Sequence, residues 1–289
     1  MEIVPIPNAA LGVEVRGIDA RKGVSDSDFA AMRKAWAGNG LLLIRGQKMD
    51  EPSVVKFSQG FGVLELPPAS AERSYGDGGA RRPEIWIISN VVVDGKAIGG
   101  LGYGEAEWHT DMSYIAAPPM ASVLYAVEVP PSGGDTCFAS MIKAYATLPD
   151  DLKRAVAGRT AKHDSSYTSV GELRRGSKEI VDPRDAPGAS HPIVRLHPDT
   201  GVPALYLGRR RNGYIDGLSL EESEKLLDRL WAHCTDPKLA YAHKWKQGDI
   251  LVWDNRSVIH RRDAFDPKTR RIMLRTQIQG EAPLAVRAA

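Results

Sequence analysis

The chain has 289 residues, with 38 Lys and Arg against 36 Asp and Glu, for a formal charge of +2. That balance excludes the strong basic excess of a dedicated nucleic-acid binder, and 43% hydrophobic with 26% charged residues excludes a wholly disordered chain. Two cysteines, Cys137 and Cys234, are too few for a secreted disulfide framework and point to a reducing, cytoplasmic setting.

The N-terminal run MEIVPIPNAALGVEV lacks the basic region of a secretory signal, and no apolar run approaches the roughly 18 residues of a membrane span. The first predicted helix covers about Ser25 to Gly38, with Ser25 or Asp26 as cap and Phe29, Met32 and Trp36 at helical spacing. Leu41 to Ile44 reads as a short buried strand, Pro52 to Gly60 as a helix, and Ile85 to Val93 as a strand. Glycines at 95, 99, 100, 102 and 104 predict a mobile loop. Ala121 to Val129 reads as a strand, and Ser140 to Leu148 and Asp150 to Val156 as helical pieces. Arg174 to Ser190 is polar, turn-rich and without a clear period, and is expected to be a lid or an insertion. Ser219 and Glu222 form a capping-box pattern ahead of Leu226, Leu227, Leu230 and Trp231. Asp249 to Trp253 and Arg271 to Gln279 complete the strands. Many short strands with few helices favour a β-sandwich or barrel, and β-rich units of roughly 200–250 residues fold as one. The expectation is therefore one domain over 1–289.

Four local patterns carry chemistry. In Trp108-His109-Thr110-Asp111, strand alternation is expected to put His109 and Asp111 on one face. By itself that pair fits a metal site or an ordinary surface pair. Far downstream, His260 follows a short apolar run, and a further neutral imidazole would complete a two-His, one-carboxylate set suited to non-haem Fe(II). In Arg270 to Ile278, alternation groups Arg271, Met273, Arg275 and Gln277 on one face. Inside a barrel each arginine needs an anion, because an unpaired buried guanidinium is costly; a solvated basic strand is the other reading. Arg271 and Arg275 stand roughly 13 Å apart along a strand, which suits two different anions. Gly133-Gly134-Asp135-Thr136 is a turn whose threonine hydroxyl is able to donate to a carboxylate, and Arg209-Arg210-Arg211 reads as a solvated loop.

WHTD at 108–111, GGDT at 133–136, WDN at 253–255, His260 and RRIMLR at 270–275 stand in a shared order and spacing. His109 and Thr136 are 27 residues apart, and His260 and Arg271 are 11 apart. Over nearly its whole length, from about Ile6-Pro7 through Gly280, the chain resembles the taurine dioxygenase / 2,4-dichlorophenoxyacetate dioxygenase family of Fe(II)- and 2-oxoglutarate-dependent oxygenases. The resemblance implies a mainly β fold with decorating helices (α+β), a double-stranded β-helix or cupin-like jelly roll with helices packed on one sheet. It implies that His109, Asp111 and His260 form the catalytic Fe(II) centre and that Thr136 and Arg271 hold the distal carboxylate of 2-oxoglutarate. Arg275 is then expected to contact the acidic group of the substrate. The implied reaction consumes O2 and 2-oxoglutarate, releases succinate and CO2, and hydroxylates a small anionic organic molecule. An intact Asp111 fits hydroxylation, since related halogenases carry a small residue there. Dimers or tetramers are common in the family, so a homo-oligomer is expected, with neither nucleic acid nor membrane as partner.

After Phe61-Gly62 the taurine enzymes carry a His-rich stretch that contacts the sulfonate; here Val63-Leu64-Glu65-Leu66-Pro67-Pro68 holds no histidine. That departure implies a small organic acid with an apolar body rather than taurine. Two other readings are a catalytically silent metal- or anion-binding protein on the same scaffold and a hydrolytic Zn2+ enzyme. Succinate production separates the first, and hydrolysis has no use for the Thr136 and Arg271 clamp.

Overall fold

The structure, a computed structural model, describes residues 1–66 and 82–286. Two sheets, one nine-stranded and one four-stranded, form its frame. Their strands in chain order are β1 (Glu2–Pro5), β2 (Val13–Arg16), β3 (Leu41–Ile44), β4 (Leu64–Glu65), β5 (Trp86–Ser89), β6 (Gly100–Leu101) and β7 (Ala106–His109). They continue as β8 (Ala121–Glu128), β9 (Thr136–Ser140), β10 (Ala240–His243), β11 (Ile250–Asp254), β12 (Val258–Arg262) and β13 (Ile272–Ile278). The larger sheet runs β1-β2-β3-β11-β8-β13-β5-β6 with β4 on β13, and the smaller runs β10-β9-β12-β7. The arrangement is a jelly roll, as expected.

Strand alternation decides which side chains meet. Leu41, Leu43, Leu124, Ala126, Leu251, Trp253 and Met273 face inward and pack with Phe138 and Val258 of the smaller sheet. Their neighbours Leu42, Ile44, Val123, Tyr125, Ile250, Val252 and Leu274 face the opposite way. There they meet Met32 and Trp36 of α1 (Asp26–Asn39) and Val54, Val55 and Phe57 of α2 (Glu51–Gln59). Each such buried side chain contributes about 1.5–3 kcal/mol. The smaller sheet also carries a helical layer, which corrects the expectation of helices on one sheet only. Ala139 and Ile259 pack with residues of α3 (Met141–Ala146), α4 (Asp150–Val156) and α5 (Leu220–Cys234). The jelly roll is therefore a sandwich with helices packed on both outer faces.

Local signals set the helix limits. The Ser25 hydroxyl accepts from the Asp28 N–H, and Gly40, at φ 73°, ends α1 by donating to Trp36 O. Ser219 and Glu222 form the full reciprocal capping box of α5. The glycine-rich run, expected as a mobile loop, contains short strands. Val92–Val93 and Lys96–Ala97 make a two-stranded ribbon, and β6 adds in parallel to β5. Gly99 is needed for that approach, because a Cβ there would lie 2.6 Å from Ile87 O.

Candidate metal centre and its two chambers

His109 is the last residue of β7, and the chain leaves the strand before Asp111. The shared strand face expected for the pair is therefore corrected: a turn brings them together. The Thr110 N–H donates to Gly208 O at 3.0 Å and its hydroxyl to Leu207 O at 3.1 Å, and Met112 turns the chain at φ 46°. His260 lies on β12, directly paired with His109 across the smaller sheet.

The three side chains converge. His109 Nε2 is 3.5 Å and His260 Nε2 is 3.7 Å from Asp111 Oδ1, and the imidazole centroids are 4.2 Å apart. Nδ1 of His109 sits 2.7 Å from the Glu107 carbonyl, which can only accept, so the proton is on Nδ1 and the Nε2 lone pair faces Asp111. The second carboxylate oxygen is taken: Ser122 Oγ donates to Asp111 Oδ2 at 2.7 Å, and Arg275 Nη2 lies 2.5 Å from it. Only Oδ1 is left for a ligand. Burial would raise the Asp111 carboxyl, but the group is held well below the usual carboxylate range, the charge of the adjacent Arg275 guanidinium being the largest opposing cause. Burial lowers both His109 and His260, so both rings are neutral at pH 7. Two neutral imidazoles and an ionised carboxylate on one side of a common point fit a divalent cation. Trp253 and Phe138 pack against His260 and fix its ring.

Two chambers meet at this centre. The deeper, of about 50 Å³, is lined by Thr136, Arg271, Arg262, Ile88 and Leu124, and reaches His109, His260 and Arg275. Thr136 Oγ1 accepts from Trp245 Nε1 at 2.9 Å, which leaves its own proton to donate. Arg271 is 2% exposed and Arg275 6%, which overturns the solvated-strand reading. Burial, and after it the Arg262 charge, pushes Arg271 down to about 9. Among the described residues neither Arg271 nor Arg262 has an ion-pair partner.

The outer chamber, of about 390 Å³, shares His109, Leu101, Ser169 and Arg275 with the deep one. Trp86, Leu101, Met112 and Leu173 give it apolar wall, and Arg174, Arg175 and Arg209 give it charge. It is more cationic than the apolar pocket expected from the missing histidines; Pro67 and Pro68 of that argument lie outside the described residues. The loop reading of 209–211 holds in part. Arg210 pairs with Glu224 and Asp228, and Arg211 covers the Tyr167 ring at 3.8 Å. Arg209, in contrast, turns inward beside the metal centre, where burial pushes it down to about 10. Sequence reasoning also missed Ser122 and Arg262. Ser122 sits on β8, and only the sheet brings it to Asp111. Arg262 had a readable signal, since it lies two residues beyond His260 on the same strand.

The taurine catabolism dioxygenase TauD, TfdA family model matches residues 2–277. The chain belongs to this family. It is 33% identical to the (S)-phenoxypropionate/alpha-ketoglutarate-dioxygenase of Delftia acidovorans, over 97% of this chain and 95% of that one. The crystal structure of a taurine dioxygenase from Burkholderia xenovorans superposes with a TM-score of 0.77 at 29% identity, covering 98% of this chain and 92% of that one. The structure of AAD-2 in complex with Mn(II) and N-oxalylglycine superposes with a TM-score of 0.78 at 26% identity, covering 98% and 99%. As a TauD/TfdA enzyme the chain is an Fe(II)- and 2-oxoglutarate-dependent dioxygenase. Among the described residues no helix is long and apolar enough to cross a membrane.

Proposed function

We propose that this dioxygenase hydroxylates a small organic acid with an apolar, aryl-sized body, and that its whole length, 1–289, works as one catalytic domain. The observation that carries the reading is the pair of arginine-bearing chambers meeting at His109, Asp111 and His260. One chamber suits a co-substrate and the other a substrate. The (S)-phenoxypropionate activity named for the Delftia relative supports an aryloxy acid.

In this reading His109, Asp111 and His260 hold Fe(II), which supplies O2 activation coupled to decarboxylation of 2-oxoglutarate. Arg271 and Thr136 grip the distal carboxylate of 2-oxoglutarate, and charge-assisted hydrogen bonds of that kind contribute about 1.5–3 kcal/mol. Arg275 plays two parts. Its Nη2 steadies Asp111, and its Nε, which has no hydrogen-bond partner among the described residues, is read as the contact for the acidic group of the substrate. Arg209 adds a second positive wall for the substrate acid. Trp86, Leu101 and Leu173 exclude water around the apolar body. Intact Asp111 keeps the metal's carboxylate ligand in place, which supports hydroxylation. The enzyme is read as a cytoplasmic homo-oligomer.

The test is succinate formation with a panel of acids: (S)-phenoxypropionate, 2,4-dichlorophenoxyacetate, an alkyl sulfate and taurine. Aryloxy acids should drive succinate release fastest, with one hydroxylated or cleaved product per succinate. Taurine as the fastest substrate would overturn the substrate class, and absence of succinate with every acid would favour the silent-scaffold reading.

A further inference from the structure

His260 and Arg262 are two residues apart on β12, so they share its inward face. In the register of the smaller sheet, His260 stands opposite Phe138 and Arg262 stands opposite Thr136. Arg262 therefore enters the deep chamber from the same wall as Thr136, facing Arg271. Its Nη2 donates outward, to Leu101 O at 2.7 Å and to Gly104 O. Its Nε has no hydrogen-bond partner, and neither has Nε of Arg271. Two like charges lining one small chamber are costly unless an anion lies between them.

The carbonyls that Arg262 holds belong to the glycine-rich loop. Gly99, Gly100 and Leu101 line the outer chamber, and Leu101 lines both. Leu101 sits in the left-handed region at φ 63°, where a residue with a branched side chain needs support from its surroundings. Arg262 supplies that support from inside the deep chamber.

We propose that Arg262 is a second guanidinium of the 2-oxoglutarate pocket and that it couples occupancy of that pocket to the order of the 99–104 loop over the substrate chamber. The inference rests on reading the deep chamber as the 2-oxoglutarate pocket. A bound distal carboxylate offsets the repulsion between Arg262 and Arg271. Arg262 is then fixed in the orientation that donates to Leu101 and Gly104, and the loop wall is complete before substrate enters. Arg262 acts on the substrate chamber through the loop, as a positioning residue.

The test uses the full-length, Mn(II)-loaded protein, with N-oxalylglycine as probe. Calorimetry gives its Kd, and hydrogen exchange gives the protection of amides 99–104 with and without it. Arg262→Gln should raise the Kd about tenfold, the size of one charge-assisted contact, and abolish the ligand-induced protection. Arg262→Lys keeps the charge but lacks the fork, so it should recover most of the affinity and none of the protection. Oxamate, which has no distal carboxylate, should bind wild type and Arg262→Gln alike. An unchanged Kd or undiminished protection in Arg262→Gln overturns the proposal. Should that variant fail to fold, Arg262→Lys decides, and wild-type protection in it overturns the coupling. Arg271→Gln separates the two levels. If it also leaves the Kd unchanged, the pocket assignment itself falls; if it weakens binding while Arg262→Gln does not, only the role of Arg262 falls.

Discussion

Arg275 Nη2 lies 2.5 Å from Asp111 Oδ2, so the carboxylate that offers Oδ1 to a metal is held on its other side by a buried guanidinium. The indoles of Trp86 and Trp253 flank that guanidinium at 5.3 and 5.9 Å and keep it dry. The ion pair thus fixes both the charge and the orientation of Asp111.

Removing one partner of a buried pair leaves the other uncompensated, at a cost of about 3–5 kcal/mol. Arg275→Met should destabilise the metal-free protein by about that much. A bound cation replaces the lost positive charge beside Asp111, so the deficit should narrow when Mn(II) is added. Urea unfolding with and without Mn(II) checks this. Equal stabilisation of wild type and variant by Mn(II) would show that Arg275 does not balance Asp111.

Gly208 has no room for a side chain. A Cβ there would lie 2.4 Å from His163 Nδ1 and 2.7 Å from Ser113 Oγ, while its carbonyl receives the Thr110 N–H. Gly208→Ala should therefore shift the turn between His109 and Asp111. The expected outcome is a loss of about 1–3 kcal/mol in stability and about tenfold in Mn(II) affinity. Unaltered Mn(II) binding in a calorimetric titration would detach Gly208 from the metal centre.

Acid sensitivity follows from buried neutral histidines. Burial pushes His163 down to about 3 from 6.5. Between those values the unfolded chain holds a proton that the folded chain does not, so stability falls as pH falls through that window. The slope is at most about 1.4 kcal/mol per pH unit for each such group. Burial lowers His109 and His260 in the same direction. Neither ring nitrogen of His163 has a hydrogen-bond partner, and its ring stacks on Tyr206. His163→Phe should keep the packing and remove one share of the slope. Unfolding free energies measured across pH 5–6 should be up to about 1.4 kcal/mol per pH unit shallower in the variant. An identical slope would mean that His163 takes up no proton on unfolding.

Legibility in the sequence tracked how local each determinant is. Ser219, Glu222 and Ser25 announce their helices because a cap is a contact within four residues. Arg271 to Ile278 announces its strand because alternation separates Met273 and Arg275 from Leu274 and Ile278. His109 and Asp111 were rightly joined, but through a turn whose geometry depends on Gly208 and Leu207, nearly a hundred residues away. Ser122 left no signal, since its contact with Asp111 exists only once β8 lies beside the metal centre. Arg209 was hidden among three arginines, because composition cannot tell which of them points inward. Arg262 was readable by the same period of two that reveals its strand, yet its burial depends on Thr136 and the glycine-rich loop.

The most direct measurement is an anaerobic visible titration. Fe(II) and then 2-oxoglutarate are added to the metal-free protein, and the weak charge-transfer absorption of a chelated 2-oxo acid is followed. The account predicts a band that saturates at one 2-oxoglutarate per chain, shifts when an aryloxy acid is added, needs more 2-oxoglutarate in Arg271→Gln, and is absent in Asp111→Ala. A wild-type protein that develops no band, or an Asp111→Ala variant that develops the same one, would contradict it.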